Sequence, residues 1–539
     1  MQIIDNQYNI GHICSNLQVM KGNGGQLALR YLGQDLNSAE DYTFGQLEVE
    51  SNRAANLILH LGLQPGEVVL ILLPKIPDLF FSFLGILKNK CIAGILFSSL
   101  GEDSIYDRII DSNAKCIITK KSLLKKVIAR SPKIMILLVD AEVNEENLGK
   151  NIFSYKKIIS QMSTEFNVPL TTAETPSVLH YTSGSTGKPK GVLHKHGSVV
   201  LQSDTMKNIL FANYGDRYWC TADQGWITGV SYGIIAPWSC GITQVHYAGA
   251  YNAESWLKIL EKEKINIWYT APTALRMMMQ EEDSLIKSFD LSALKHILSV
   301  GEPLNPEVIH WSRKVLNKEI YDTWFQTETG SIMIANRPGK KIKPGSMGLA
   351  SNEMITPEII SEDGRILEVK TEGFLCLKAP FPSMFLAYIN HQELYENKFK
   401  NGYYYSGDLA YKDEDGYFWF LGRCDDIINT AGHLVSPFEV ESALLEMDCV
   451  SESAVIGAPD DLLFEKVVAF ISLKPGYLPS KKLELSIRIH VSNRVSSTAT
   501  PQTVIFSQKI PKNNSGKIMR RILKNQYMNK EIGDISTLQ

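Results

Sequence analysis

Residues 181–191 read YTSGSTGKPKG. Three glycines (Gly184, Gly187, Gly191), a run of small hydroxyl residues and two lysines (Lys188, Lys190) lie within eleven positions. Glycine lets a backbone approach a bulky anion closely. Ser and Thr hydroxyls and backbone N–H groups can donate to phosphate oxygens, and Lys supplies countercharge. The chemistry this composition suits is the cradling of a polyphosphate. It is not the Walker A loop, because Lys188 is followed by Pro189 and the glycine spacing differs. A solvated flexible turn would have a similar composition, so the loop leaves both readings open until its surroundings are considered.

The elements around it alternate. Thr43 followed by Gln46 has the capping-box pattern ahead of a helix through Leu57, Ile58 and Leu61. VVLILL at 68–73 is a continuous apolar run, as expected of a strand buried on both faces. An apolar helix over 79–87 and strands at 92–97, 116–119 and 134–139 follow. Strand, helix, strand repetition implies parallel sheets with right-handed crossovers. The rhythm returns over 202–320, with 265–272 and 296–303 as strand-then-loop segments. Strand and turn signals are denser over 348–408, which predicts a smaller β-rich unit. Residues 413–423 predict a hairpin turning at Asp415–Gly416. The end region predicts a helix over 437–447, strands at 453–457 and 467–473, a helix near 483–495 and a basic tail.

Composition narrows the function class. At roughly 150 residues per domain, 539 residues suggest three to four structural units. Apolar residues at 44% and charged residues at 21% exclude a disordered chain. With 55 basic against 58 acidic residues, no general electrostatic case exists for nucleic-acid binding. The best apolar stretch, 79–87, is too short for a span of about twenty residues, so no membrane association is expected. The N-terminus has no secretory pattern. Eight scattered cysteines form no CxxC and no ligand-spaced cluster, which argues against structural zinc and disulfides and for a reducing cytoplasm.

The 181–191 string, with TADQGWITGVSYG (221–233), YTAPTALRM (269–277), SVGEPLNPEV (299–308), DTWFQTETG (322–330), YYSGDLA (404–410), GRCDDIINTAGHLVSPFEVESAL (422–444) and PKNNSGKIMRR (511–521), resembles the adenylate-forming superfamily of acyl-CoA synthetases, luciferases and peptide-synthetase adenylation domains. The order of motifs is the same, and the likeness runs from about residue 40 to the end. GEPLNPEV, QTETG and PFEVESAL look most like AMP-forming acetyl-CoA synthetases of the shorter bacterial type. The resemblance implies an α/β fold. A large N-terminal AMP-binding domain, residues 1–424, would hold two parallel-type α/β subdomains and a β-rich subdomain. A small mobile α+β C-terminal domain, residues 425–539, would carry the catalytic lysine.

It also implies a two-step reaction: a carboxylate attacks the α-phosphate of ATP, then CoA thiolate attacks the acyl-adenylate. ATP and CoA enter as substrates, with Mg²⁺ on the phosphates. The implied catalytic residues are Lys517, Thr186 and Lys190. The ATP/AMP site would take Thr182, Ser183, Gly184, Ser185, Thr186, Gly187 and Lys190 from the loop. Gly301, Glu302 and Pro303 would flank adenine, with Asp322, Thr323, Trp324, Phe325, Gln326 and Thr327 as the next wall. Asp408 and Arg423 would hold the ribose, and Lys517 would bridge acyl and phosphate oxygens. Glu328 offers the hard oxygen that Mg²⁺ prefers. Asp425 would be the hinge. Thr228, Ala431, Gly432 and His433 would meet CoA.

Trp226, Ile227, Thr228, Val300 and Phe325 would line the acyl pocket. Phe325 stands where acetyl-CoA synthetases carry a second tryptophan, so acetate is expected, with propionate tolerated. One methylene is worth only about 1–3 kcal/mol in such a pocket. Several positions depart from the family pattern. Leu434 replaces an arginine, Gly229-Val230-Ser231 differ from the common motif, and Asp461-Leu462-Leu463-Phe464 lack the expected Arg and Gly. The 497–501 loop also lacks a basic residue. These leave open a slightly longer acid or a carrier-protein thiol as acceptor. The family likeness further suggests a lysine acetyltransferase and deacetylase acting on Lys517, whose charge acetylation would remove.

Overall fold

The computed structural model describes residues 7–130, 132–143, 145, 148–183, 189–430, 433–460, 462–513 and 517–532. Three sheets organise them. In the first, Val68–Ile71 lies between Ile92–Ile95 and Cys116–Thr119, all parallel. Met135–Leu138 and Ile152–Ser154 extend the parallel run. Every residue of the three central strands is buried, which is why 68–73 reads as unbroken apolar sequence. The helix Phe44–His60 starts with the predicted reciprocal cap: Gln46 N–H donates to Thr43 Oγ1 and Thr43 N–H to Gln46 Oε1. It packs on the apolar helix Pro77–Lys88. Gly85 permits that approach, since a Cβ there would lie 2.5 Å from the Ala54 Cβ.

The other side of this sheet carries the segments that flank the 181–191 string. Pro176–Ser183 runs parallel to Ile92–Ile95 and turns back as Pro189–Lys195, antiparallel. Thr182 pairs with Lys190 and Ser183 with Pro189. The string therefore joins two strands of a hairpin, not a strand and a helix. Ala387–Tyr388 adds an edge strand beside Pro189–Lys195.

In the second sheet, Leu27–Leu32, Thr243–Tyr247, Arg217–Cys220, Ile267–Thr270, His296–Ser299 and Ile320–Trp324 are parallel neighbours. The predicted β-rich unit exists, but it continues this sheet. Ile334–Ala335 pairs antiparallel with Ile320–Trp324, and Ser346–Ala350, Phe418–Arg423, Tyr403–Lys412, Gly373–Lys378 and Pro357–Ile360 follow. Tyr403–Lys412 and Phe418–Arg423 are the predicted hairpin, with Gly416 at φ 84° in its turn.

The third sheet comprises Ile428–Thr430, His433–Val435, Val450–Asp460, Phe464–Leu473 and Thr503–Phe506. Helices Pro437–Leu445, Lys481–Arg494 and Arg520–Tyr527 accompany it. Two apolar clusters here draw only on residues from 428 onward. Among the described residues no helix is long and apolar enough to cross a membrane. All eight cysteines are free.

His180, His194, His196 and His246 are buried in and around the two parallel sheets. Burial lowers their pKa values from 6.5 to about 3, 4, 3 and 3 respectively. The unfolded chain therefore binds more protons than the folded one below pH 6.5. Each histidine should remove about 1.4 kcal/mol of stability per pH unit between 6.5 and its folded value. Denaturant unfolding from pH 7.5 to 4.5 is expected to give a stability that falls steeply below pH 6.5. A flat profile over that range would contradict it.

Candidate functional site

Asp408 lies in Tyr403–Lys412 and is 3% exposed. Trp324 Nε1–H and Gln326 Nε2–H both donate to its Oδ2, at 3.0 and 3.1 Å. Arg423, at the end of the paired strand, bonds its Oδ1 at 3.1 Å. Burial pushes the Asp408 carboxyl above its ordinary range, and Arg423 is the largest influence opposing that rise. Gly407 has φ 81°, and a Cβ there would sit 3.2 Å from Arg423 Nη2, so the glycine makes room for the guanidinium. Gln326 is fully used: Tyr404 donates to its Oε1 (2.9 Å), and its amide also reaches Ser406 O.

Glu328 follows two residues later and is half-buried. Tyr388 Oη–H donates to its Oε1 at 2.6 Å. His194 Nε2 meets Thr327 O at 2.7 Å, which makes Nε2 the protonated nitrogen of a neutral ring. Thr329 Oγ1 accepts from Gln326 N–H and closes the turn. These bonds tie 326–330 to the hairpin that carries the Gly/Ser/Thr string. A single carboxylate fits Mg²⁺, which binds one or two carboxylates plus substrate phosphates. Among the described residues no group of three His, Cys, Asp or Glu could hold a metal by itself.

Gly301 follows the buried strand His296–Ser299 with φ 91° and open space around it. The neighbouring Glu302 carboxylate is already taken by Arg276 (2.5 Å) and Thr273 (2.7 Å), so its side chain is spent on structure. Thr323 Oγ1 donates to Ser299 O and locks the two strand ends together. Asp322 is buried, which drives its carboxyl well above the usual range, and its Oδ1 has no bonded partner among the described residues.

Three of the five predicted pocket residues divide between two apolar clusters. Phe325 packs edge-on against Tyr232 at 5.5 Å, in a cluster with Val300, Tyr269 and Cys220. Trp226 packs against Phe97 at 4.9 Å, beside Tyr181 and Leu179. Ile227 and Thr228 begin the short helix Ile227–Val230, and both are buried.

Lys517 is exposed on a turn in which Asn513 N–H donates to Lys517 O, and Lys517 N–H to Asn513 Oδ1. It lies near enough to Asp408 to favour that group's charged form. The turn is anchored by Arg520, which bonds both Glu441 oxygens at 2.6 Å. His433 is exposed on His433–Val435, and Asp425 is exposed, 3.4 Å from Arg423 Nε. Gly184, Ser185, Thr186, Gly187, Ala431 and Gly432 lie outside the described residues, as does the Ser183 side chain. Lys190 and Thr182 stand opposite each other at the mouth of the hairpin.

Sequence reasoning missed Tyr388, which bonds Glu328, and Lys398, which lies over the Tyr404 ring. Tyr388 sits at the edge of an unremarkable segment. Lys398 is one of two lysines in ENKFKNG, and nothing in that string marks it. Tyr404 was visible within YYSGD, but its bond to Gln326 depends on a strand pairing and not on local spacing.

A parallel-stranded α/β body whose strand ends meet a buried carboxylate–guanidinium pair, with a lysine brought in from an end unit, belongs to the nucleotide-handling class of α/β enzymes. A family model described as AMP-binding enzyme matches residues 18–389, and one described as AMP-binding enzyme C-terminal domain matches residues 439–517. The chain belongs to this adenylate-forming, AMP-binding enzyme family. It is 44% identical to an acetyl-coenzyme A synthetase of Bacillus subtilis (strain 168), over 95% of this chain and 90% of the relative. It is 34% identical to the acetyl-coenzyme A synthetase of Escherichia coli (strain K12), over 99% and 86%. A crystal structure of the anthranilate CoA ligase AuaEII with anthranoyl-AMP matches with a TM-score of 0.88 at 28% identity, covering 98% of both chains.

Removing Arg423 leaves Asp408 without its cation. Arg423→Met should cost about 1–3 kcal/mol, held below the fully buried limit because Arg423 is partly solvated. Adding Asp408→Asn, which keeps acceptors for Trp324 and Gln326, should recover part of that loss. Urea unfolding of both single variants and the double variant measures the coupling; strictly additive effects would argue against the pair.

Proposed function

We propose that the chain is an AMP-forming acetate–CoA ligase that makes acetyl-CoA, AMP and pyrophosphate from acetate, ATP and CoA. Its acetyl-coenzyme A synthetase relatives support the substrates. The observation that carries the mechanism is the convergence of Asp408, Arg423, Glu328 and Lys517 at the ends of the second sheet. Ligands in open α/β sheets lie at carboxyl strand ends.

In the first step an acetate oxygen bonds to the α-phosphorus and the bond to pyrophosphate breaks. Both partners are anions, so charge must be screened and the approach held in line. Lys190 and the 184–187 residues would face the phosphates, and Lys517 would bridge acetate and α-phosphate oxygens. Glu328 would hold Mg²⁺, whose part is to neutralise phosphate charge. Asp408 would accept from the ribose hydroxyls. Asp322, with an unspent oxygen and paired in register with Ser299, suits the amine edge of adenine. In the second step the CoA sulfur bonds to the acyl carbon and AMP leaves.

The domain boundary is placed at 424/425, with Asp425 as hinge, so that Lys517 and the segment around His433 serve successive steps. Two polar bonds across that boundary, Asn305 to Ser442 and Gln280 to Ser451, are individually weak enough to break on rotation, while the buried bond from Ser436 Oγ–H to Leu421 O sits close to the hinge. Phe325 against Tyr232 would close the acyl pocket at two carbons, with propionate tolerated. Lys517, on an exposed turn, would also be accessible to an acetyltransferase.

The deciding experiment measures AMP and pyrophosphate release with ATP–Mg²⁺ and acids from acetate to octanoate, with and without CoA. CoA-dependent turnover peaking at acetate or propionate is expected. Pyrophosphate release indifferent to CoA would point to another acceptor, such as a carrier-protein thiol. Lys517→Ala should lose adenylation by orders of magnitude, while thioester formation from supplied acetyl-AMP survives. Equal loss of both half-reactions would overturn its role.

A further inference from the structure

The site contains a cation that no step above uses. Lys398 follows the helix Gln392–Glu396 and leads into Phe399–Lys400, which pairs with Tyr403 and Tyr404. Its backbone is fixed at both ends: Lys398 N–H donates to Tyr395 O, and Tyr405 N–H donates to Lys398 O at 2.8 Å. Its Nζ lies 5.9 Å from the Tyr404 ring centroid, within reach of a cation–π contact. The hydroxyl of that ring bonds Gln326, which bonds Asp408. The amine is therefore held against the wall of the site and half-buried, not extended into solvent.

The charges acting on Lys398 are Glu328, Asp408, Arg423 and Lys190, the groups around the proposed nucleotide. None of them neutralises it. Asp408 is engaged by Arg423, Trp324 and Gln326, and Glu328 accepts from Tyr388. Among the described residues the Lys398 ammonium makes no ion pair and no hydrogen bond, so its three N–H donors are unspent. A half-buried ammonium with free donors is costly unless an anion arrives to meet it.

We propose that Lys398 is a further substrate-contacting residue, whose ammonium binds the phosphate chain of ATP and of pyrophosphate. This rests on the adenylation reading above. Lys398 would act by charge and direct hydrogen bonding, so its contribution should vanish when the phosphates are absent.

The test is calorimetric binding of ATP–Mg²⁺, inorganic pyrophosphate–Mg²⁺ and adenosine to the full chain and to Lys398→Met and Lys398→Arg. Lys398→Met should weaken ATP and pyrophosphate by about tenfold to a hundredfold, the worth of one charge-assisted hydrogen bond. Adenosine affinity should be unchanged, and Lys398→Arg should restore most of the loss. If Lys398→Met does not fold, Lys398→Gln takes its place. Unchanged ATP affinity overturns the proposal, as does parallel loss of ATP and adenosine, which would mark a merely structural lysine. Wild-type protein that binds ATP through Lys398 yet releases no AMP with any acid would sink the ligase reading and leave this one standing. Wild-type protein that binds no nucleotide would overturn both.

Discussion

The buried carboxylate of Asp408 is the constraint around which the site is arranged. An anion 3% exposed persists only if its oxygens are met by donors and a cation. Here the donors come from two directions. Trp324 and Gln326 arrive from the end of the parallel part of the second sheet, and Arg423 from the antiparallel part. Satisfying Asp408 thus fixes how the β-rich extension meets the parallel strands. It also fixes Gln326, whose remaining atoms hold Tyr404 and Ser406 O. Two residues further on, Glu328 inherits its place from that anchored turn, and Tyr388 secures it. One charge pair therefore sets the positions of the groups proposed for ribose and metal.

The phosphate string depends on the first sheet in a different way. A strand-to-helix loop would offer the helix N-terminus to an anion. Two paired antiparallel strands offer no such dipole, so countercharge for the proposed phosphates would have to come from side chains. The proposed phosphate role would thus draw on Lys188 and Lys190 in the string. His194 links the hairpin to Thr327 O, so the two sheets meet across the site through a neutral imidazole. Burial keeps that ring neutral, against the pull of the nearby Glu328 carboxylate.

Much of this was legible in the sequence for identifiable reasons. The central strands of the first sheet are buried on both faces, so they stand out as continuous apolar runs. The Thr43–Gln46 cap and the Asp415–Gly416 turn are local chemistry, and local chemistry is visible at short range. The continuity of the β-rich segment with the second sheet was not legible. It is carried by Ile334–Ala335, a two-residue strand with no pattern of its own. Nor were Leu27–Leu32 and Ala39–Thr43 placed in the second sheet, because pairing with Thr243–Tyr247 spans more than two hundred residues. In the site, Asp408, Arg423, Glu328 and Lys517 stood out through their motif strings. Tyr388 and Lys398 did not, because their roles come from what faces them. The proposed pocket shows the same limit: adjacent Trp226 and Ile227 could be picked out together, but only packing separates Trp226, against Phe97, from Phe325, against Tyr232.

The distribution of strong and weak contacts bears on the proposal that Lys517 serves one step and withdraws for another. Its turn is held by the Arg520–Glu441 pair, with Glu441 buried and also accepting from Val455 N–H. Those partners all lie beyond residue 425, so the turn, its helix and the third sheet can move as one body without exposing a buried charge. Across the proposed boundary, Asn305 with Ser442 and Gln280 with Ser451 are bonds between neutral polar groups that water can replace at little cost, whereas the buried bond from Ser436 Oγ–H to Leu421 O lies beside the linker itself. Arg423 stands at the root of the linker, tied to Asp408 on one side and to the exposed Asp425 on the other. The Asp408 bond is buried and expensive to break, whereas the Asp425 bond is solvated and weak. The proposed rotation should therefore occur after Arg423 and leave the proposed ribose side of the site intact while Lys517 leaves it.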